Sequence, residues 1–235
     1  MTLKPVAILQ NDPHDGPAFF GTWLTRNGIP SQVFALYDGE SPPAALQAFS
    51  GLCVLGGPMS ANDPLAYYPQ LFALVREAVQ ERTPVIGHCL GGQLLSRALG
   101  GTVQSSEHVE IGWSTLEPVH AEATEWFGAG PVQLFQWHGE SFSIPAGATQ
   151  LLRGRYCANQ AYVVDGIHLG MQFHCEVDLP KLHSWLELGA EEIRRSTSPG
   201  VQQADSILAS LEADTALSQR IAGHIYTRWA KGLQR

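Results

Sequence analysis

Short apolar runs alternate with helical stretches over roughly the first hundred residues, and this alternation constrains the fold more than any other feature. Pro5 to Leu9, Ser31 to Tyr37, Leu52 to Leu55 and Pro84 to Gly87 read as buried strands. Helix candidates lie between them. Phe19 to Arg26 is stopped by Gly28. In a longer segment, Leu71, Leu74, Val75, Ala78 and Val79 recur at the spacing of one helical face, until Thr83-Pro84 ends it. Gly91 to Leu99 is closed by Gly100-Gly101. Asp38 to Pro43 is a loop by its Asp-Gly and Pro-Pro content. Strands separated by helices need crossover connections, so the expected fold is α/β, with a mostly parallel central sheet flanked by helices.

The pattern changes from Val103 onward. Gly112 to Val119, Val132 to Trp137, Gln150 to Arg153, Ala161 to Val164 and Leu169 to Phe173 read as further strands, some antiparallel. After Pro180 the chain turns helical. Leu182 to Arg195 is expected as one helix, Ser196 to Gly200 as a loop, and two more helices are expected between Ala204 and Leu233. Ile221, Ile225 and Trp229 fall at helical spacing, fitting a face that packs on the rest of the protein or on another subunit. The simplest division is a single domain over 1–235, with a core over 1–178 and a helical C-terminal appendage over 179–235.

Composition narrows the function. The net charge is −8, which argues against nucleic acid and anionic membranes, since both need clustered Lys and Arg. Hydrophobic residues make up 44% and charged residues 15%, enough apolar mass for a sizeable core. The first twelve residues do not read as a secretory leader, and no apolar run reaches the roughly 18 residues of a membrane span, so a cytoplasmic location is expected. Cys53, Cys89, Cys157 and Cys175 show no Cys-x-x-Cys pair and read as reduced thiols.

Cys89 has a context that burial alone does not explain. Pro84 to Gln93 runs from strand into helix in the form Gly-x-Cys-x-Gly, the thiol version of a nucleophile elbow. A sharp turn needs small residues on both sides, and Gly87 and Gly91 supply them. The first N–H groups of the following helix favour an anion at the sulfur, and the N–H of Leu90 would meet a developing oxyanion. The motif alone fits either a catalytic elbow or a structural turn with a buried cysteine. His88 reads as structural, because its neighbouring position does not aim the ring at the thiol.

A second cluster is Gly170-Met-Gln-Phe-His-Cys-Glu176. In an extended chain, residues two apart share a face, so Glu176 can orient His174 and His174 can take a thiol proton. A core histidine beside a surface glutamate is the plainer alternative. Metal binding by His174, Cys175 and Glu176 is disfavoured, because adjacent strand residues point to opposite faces. The pair Gly56-Gly57 before Pro58 permits close backbone approach to a ligand, with the Gly57 N–H as second oxyanion donor, or else makes an ordinary turn.

Gly-Gly-Pro, Gly-x-Cys-x-Gly-x-Gln and Phe-His-x-Glu, in that order, resemble the class I (triad) glutamine amidotransferases over about residues 1 to 178. Gly87-His-Cys-Leu-Gly-Gly-Gln-Leu-Leu95, Trp137-His-Gly-Glu140 and Asn159-Gln-Ala-Tyr162 resemble the stand-alone branch related to the amidotransferase domain of GMP synthase, which includes γ-glutamyl peptidases. The resemblance implies a flavodoxin-like amidotransferase architecture. It implies Cys89 as nucleophile, His174 as base and Glu176 as its orienter, with the backbones of Gly57 and Leu90 as oxyanion hole. Gln93, His138, Gly139, Glu140 and Ser141 are implied as substrate-binding residues. The reaction implied is hydrolysis of the γ-amide of glutamine through a γ-glutamyl thioester, with no metal and no organic cofactor.

Two features depart from the family pattern or leave it incomplete. Cys175 stands where family members often carry proline between the final His and Glu. It leaves the turn looser and puts a thiol nearby, as either an oxidation-sensitive element or a neutral replacement. No P-loop occurs, so an ammonia-accepting synthetase would be a separate chain. The alternatives to a glutaminase are a γ-glutamyl peptidase, told apart by open space beyond the scissile bond, and a non-enzymatic regulatory or redox-sensing protein on the same fold.

Overall fold

The computed structural model describes residues 3–234. Among the described residues, ten strands and seven α-helices follow one another. Strands β1 (Val6–Gln10), β2 (Ser31–Ala35), β3 (Gly51–Val54), β4 (Val85–His88) and β9 (His168–Met171) form the parallel part of the sheet, in the spatial order β2-β1-β3-β4-β9. β1, β3, β4 and β9 are buried along their whole length, as expected of strands covered by helices on both faces. Helices α1 (Ala18–Arg26), α2 (Tyr68–Gln80) and α3 (Leu90–Ala98) make the crossovers. On α2 the predicted face is real: Leu71, Leu74, Val75 and Ala78 are buried.

Beyond β9 the sheet continues antiparallel through β8 (Ala161–Val164) and β7 (Thr149–Arg153) to β5 (Val103–Pro118). β5 and β6 (Val132–Phe142) form a long antiparallel pair. Both exceed the expected runs, because polar residues such as Gln104, Ser105 and Glu110 stay in the ladder through cross-strand pairing rather than through apolar content, with a register shift between Ser105 and Glu110. The short helix α4 (Ala123–Phe127) between them carries no long period to reveal it, yet it buries Trp126 and Phe127.

The helical end differs from expectation in two places. Leu182 to Arg195 is broken into α5 (Leu179–Leu188) and α6 (Ala190–Arg195) at Gly189, where a Cβ would collide with the Trp137 ring. Residues 204–230 form one helix, α7 (Ala204–Ala230), instead of two, with Gly223 tolerated inside it. Between α6 and α7, β10 (Gly200–Val201) adds a short parallel pairing to β5. The predicted face of α7 packs on the rest of the protein: Ile225 and Trp229 are buried in the same cluster as Phe20, Val6 and Ile86. No described helix is long and apolar enough to cross a membrane.

Candidate active site

The sheet order places the ends of β3, β4 and β9 side by side, at the carboxyl edge where open α/β sheets hold their ligands. Each end carries one of the segments singled out above. Gly56 and Gly57 follow β3, Cys89 follows β4, and His174 to Glu176 follow β9.

Cys89 sits between β4 and α3 with φ +48° and ψ −108°, a conformation that residues bearing a Cβ rarely adopt. Its glycine neighbours explain how the turn is tolerated. A Cβ on Gly91 would drive into the Val54 carbonyl oxygen, and one on Gly87 would come within 2.5 Å of the Gly91 carbonyl. A Cβ on Gly92 would meet the Met171 backbone. The turn is thus wedged between β3 and β9, and strain at Cys89 is sustained by the packing around it. The first N–H of α3 belongs to Leu90, which has no helical carbonyl before it to accept its proton.

Cys89, His174 and Gly57 line one cavity of about 300 Å³. The His174 Nδ1 lies 2.7 Å from Glu176 Oε1, and both side chains are buried. Burial disfavours charge on His174. The Glu176 carboxylate, the Cys89 charge and hydrogen bonds to both outweigh it and raise the imidazole from 6.5 to about 10. His174 therefore keeps its proton through neutral pH. Its ring stands edge-on to Trp185, with centroids 4.7 Å apart. Burial likewise opposes charge on Glu176, yet the Lys181 ammonium, then His174, hold its carboxyl well below the usual range.

Lys181 and Asp15 carried no signal in the sequence. Lys181 Nζ pairs with Asp15, donates to Glu176 Oε1 at 3.1 Å and to the Gly16 carbonyl at 2.9 Å, and lies 4.8 Å from the Trp185 ring centroid. Burial works against this cation, but Asp15 and Glu176 together raise its pKa. Gly56 makes room for the cluster: a Cβ there would strike Asp15 and come within 3.0 Å of His174. Gln172, also missed, donates to the Cys89 sulfur at 3.5 Å.

The other expected site residues lie outside the cavity. Gln93 is buried and donates to the Glu140 carbonyl at 3.1 Å and to Gln172 Oε1 at 3.3 Å. The His138 ring is buried between the Glu140 carbonyl, 3.1 Å from Nδ1, and Glu110, 3.2 Å from Nε2. Glu140 accepts from Ser60 Oγ, Gly139 is exposed, and Ser141 lines a separate polar cleft with Ser105 and Asn159. His88 points away from the sulfur, toward Cys53 and Tyr226. Cys175 also faces inward, toward Tyr226 Oη at 3.5 Å and Met171 Sδ at 4.0 Å, and is fully buried. Among the described residues, three sets of side chains bring candidate metal-ligating atoms within 4.8 Å of one another: His88 with Cys175 and Glu176, Glu110 with His138 and Cys157, and Asp15 with His174 and Glu176. In the last, Asp15 and Glu176 are already engaged by Lys181.

A cysteine at a strained strand-to-helix turn, beside a histidine held by a buried carboxylate, is an arrangement that can carry out acyl transfer. Comparison with known proteins gives the class. A family model described as glutamine amidotransferase class-I matches residues 24–190, and the chain belongs to that family. The glutamine amidotransferase-like protein YfeJ of Salmonella typhimurium is 28% identical over 180 residues, covering 73% of this chain and 75% of that protein. The glutamine-hydrolyzing GMP synthase of Thermomicrobium roseum is 35% identical over 130 residues, 54% of this chain but 23% of that much longer protein. Among solved structures, a glutamine amido transferase from Methylobacillus flagellatus superposes with a TM-score of 0.97 at 47% identity, covering 99% of this chain and 96% of that one. A glutamine amidotransferase from Thermotoga maritima gives 0.85 at 24% identity, covering 98% and 100%, a likeness of fold.

Proposed function

We propose that the chain hydrolyses a γ-glutamyl amide bond, that of glutamine in the simplest case, through a thioester on Cys89. The observation that carries this reading is the shared cavity of Cys89 and His174, with Glu176 fixed behind the ring at 2.7 Å. Family membership supports glutamine amide hydrolysis in general. With its proton passed to His174, the Cys89 sulfur adds its electron pair to the γ-carbonyl carbon, while the N–H groups of Gly57 and Leu90 receive the oxyanion. The carbon–nitrogen bond then breaks with its pair going to nitrogen. His174 supplies the proton, and ammonia or an amine leaves. Water adds to the thioester carbon and returns its proton to His174, the carbon–sulfur bond breaks, and glutamate is released. Gln93, His138, Gly139, Glu140 and Ser141 are the residues that family resemblance assigns to the glutamyl end. A separate ammonia-accepting synthetase is the partner that likeness to GMP synthase favours.

The test is glutamate and ammonia release from glutamine by wild type and by Cys89→Ala. Release that vanishes in the variant supports the reading. Equal activity in both proteins sinks it.

A further inference from the structure

Resting on that reading, the cavity narrows the kind of amine that leaves. His174 must hand its proton to the departing nitrogen, so the leaving group lies on the His174 side of the Cys89 sulfur. That side opens into the cavity of about 300 Å³, far more room than ammonia needs. The residues expected at the glutamyl end, Gln93 and His138 to Ser141, are absent from its lining, so its walls meet the leaving amine as well as the scissile carbonyl.

The walls define the chemistry. Trp137 and Trp185 face the cavity, and Leu188, 60% exposed, stands at its edge. An apolar side chain left in water beside a reactive centre gains from an apolar ligand laid over it. Asp12 and Glu192 also line the space, and Glu192 accepts from Trp137 Nε1 at 3.1 Å. No Lys or Arg is among the lining residues. Lys181, the nearby cation, lies behind the site with its charge taken up by Asp15 and Glu176. Of the lining side chains that can carry positive charge, His14 and His174, the second is spent on the departing nitrogen, so a leaving amino acid or peptide would bring its carboxylate against Asp12 and Glu192 with no Lys or Arg to receive it.

We propose that the site prefers γ-glutamyl amides whose leaving amine has an apolar body and no carboxylate, over both glutamine and γ-glutamyl dipeptides. No further co-reactant is needed: attack by Cys89, proton delivery by His174 and hydrolysis by water release the amine and glutamate.

The experiment compares kcat/KM for glutamine, γ-glutamyl-phenethylamide and γ-glutamyl-phenylalanine, with hydroxylamine added to trap the acyl-enzyme as γ-glutamyl hydroxamate. The two aromatic substrates differ by one carboxylate. The phenethylamide is expected to exceed each of the others by about tenfold or more. Glu192→Lys is expected to shift the ratio of dipeptide to amide turnover toward the dipeptide by about threefold or more. Leu188→Ser is expected to slow the amide more than glutamine, and an unchanged thermal melt separates a lost wall from a lost fold. Cys89-dependent hydroxamate from glutamine, with the phenethylamide no faster, overturns this preference and leaves the hydrolase reading standing. Faster turnover of the dipeptide than of the amide also overturns it. No Cys89-dependent hydroxamate from any of the three overturns both.

Discussion

Lys181 Nζ and His174 Nδ1 meet on a single atom, Glu176 Oε1, at 3.1 Å and 2.7 Å. The carboxylate that orients the histidine is thus itself anchored by a buried cation, which is anchored in turn by Asp15. Removing one partner of such a cluster leaves charge buried without compensation. Lys181→Met should cost about 3–5 kcal/mol of stability, measured by chemical denaturation. Where the variant folds, its activity should fall through kcat more than through KM, because the displaced group is Glu176 and not substrate.

The raised pKa of His174 sets a pH dependence. Acylation consumes its proton, so kcat/KM should decline as pH rises through about 10. In Glu176→Gln the decline should begin at lower pH, nearer the ordinary 6.5, because the largest group holding the proton is gone. A basic limb unmoved by Glu176→Gln would show that the carboxylate does not set it. The same shift contributes to folding. Its contribution is complete below 6.5, the unfolded value, and is lost as pH climbs from 6.5 through 10. Glu176 works in the opposite sense: its depressed pKa stabilises the fold above the ordinary carboxylate range, and that stability is lost as the medium is acidified.

Two glycines should respond oppositely to alanine. Gly91→Ala forces a Cβ into the Val54 backbone, which cannot swing aside as a side chain would, and should destabilise by about 3 kcal/mol or more. Gly223→Ala places a Cβ in open space within α7 and should stabilise by about 0.5–1 kcal/mol. Thermal melts of the two variants beside wild type check both signs.

Oxidation should single out one thiol at the site. Cys175 is fully buried, and desolvation by burial holds its thiol protonated well above the usual range, whereas Cys89 opens on the cavity. Mild peroxide should add oxygen at Cys89 and leave Cys175 unmodified by mass spectrometry. Inactivation should run at the same rate in Cys175→Ala. A slower rate in that variant would give Cys175 a redox role.

The candidate site was legible where its residues lie close together in the chain. The turn at Cys89 announces itself by Gly87 and Gly91, and His174 and Glu176 are two positions apart. Lys181 and Asp15 were not legible, because their meaning lies in contacts across most of the chain: Lys181 reaches the Gly16 carbonyl 165 residues away. The parallel half of the sheet follows from apolar strands broken by helices. The β5–β6 ladder is less visible, since polar residues such as Ser105 and Glu140 are held there by pairing. The break at Gly189 depends on Trp137, on a different element, which no helical period records.

The last helix has a consequence for the order of events during synthesis. Tyr226 of α7 touches both His88 and Cys175, the residues flanking the nucleophile and the histidine, and Trp229 packs beside Phe20 and Gly51. A nascent chain that has emerged only as far as Glu176 holds Cys89, His174 and Glu176 but not the layer that packs against their neighbours. The braced site can therefore form only once α7 has docked, and a truncated product lacking α7 is expected to be inert.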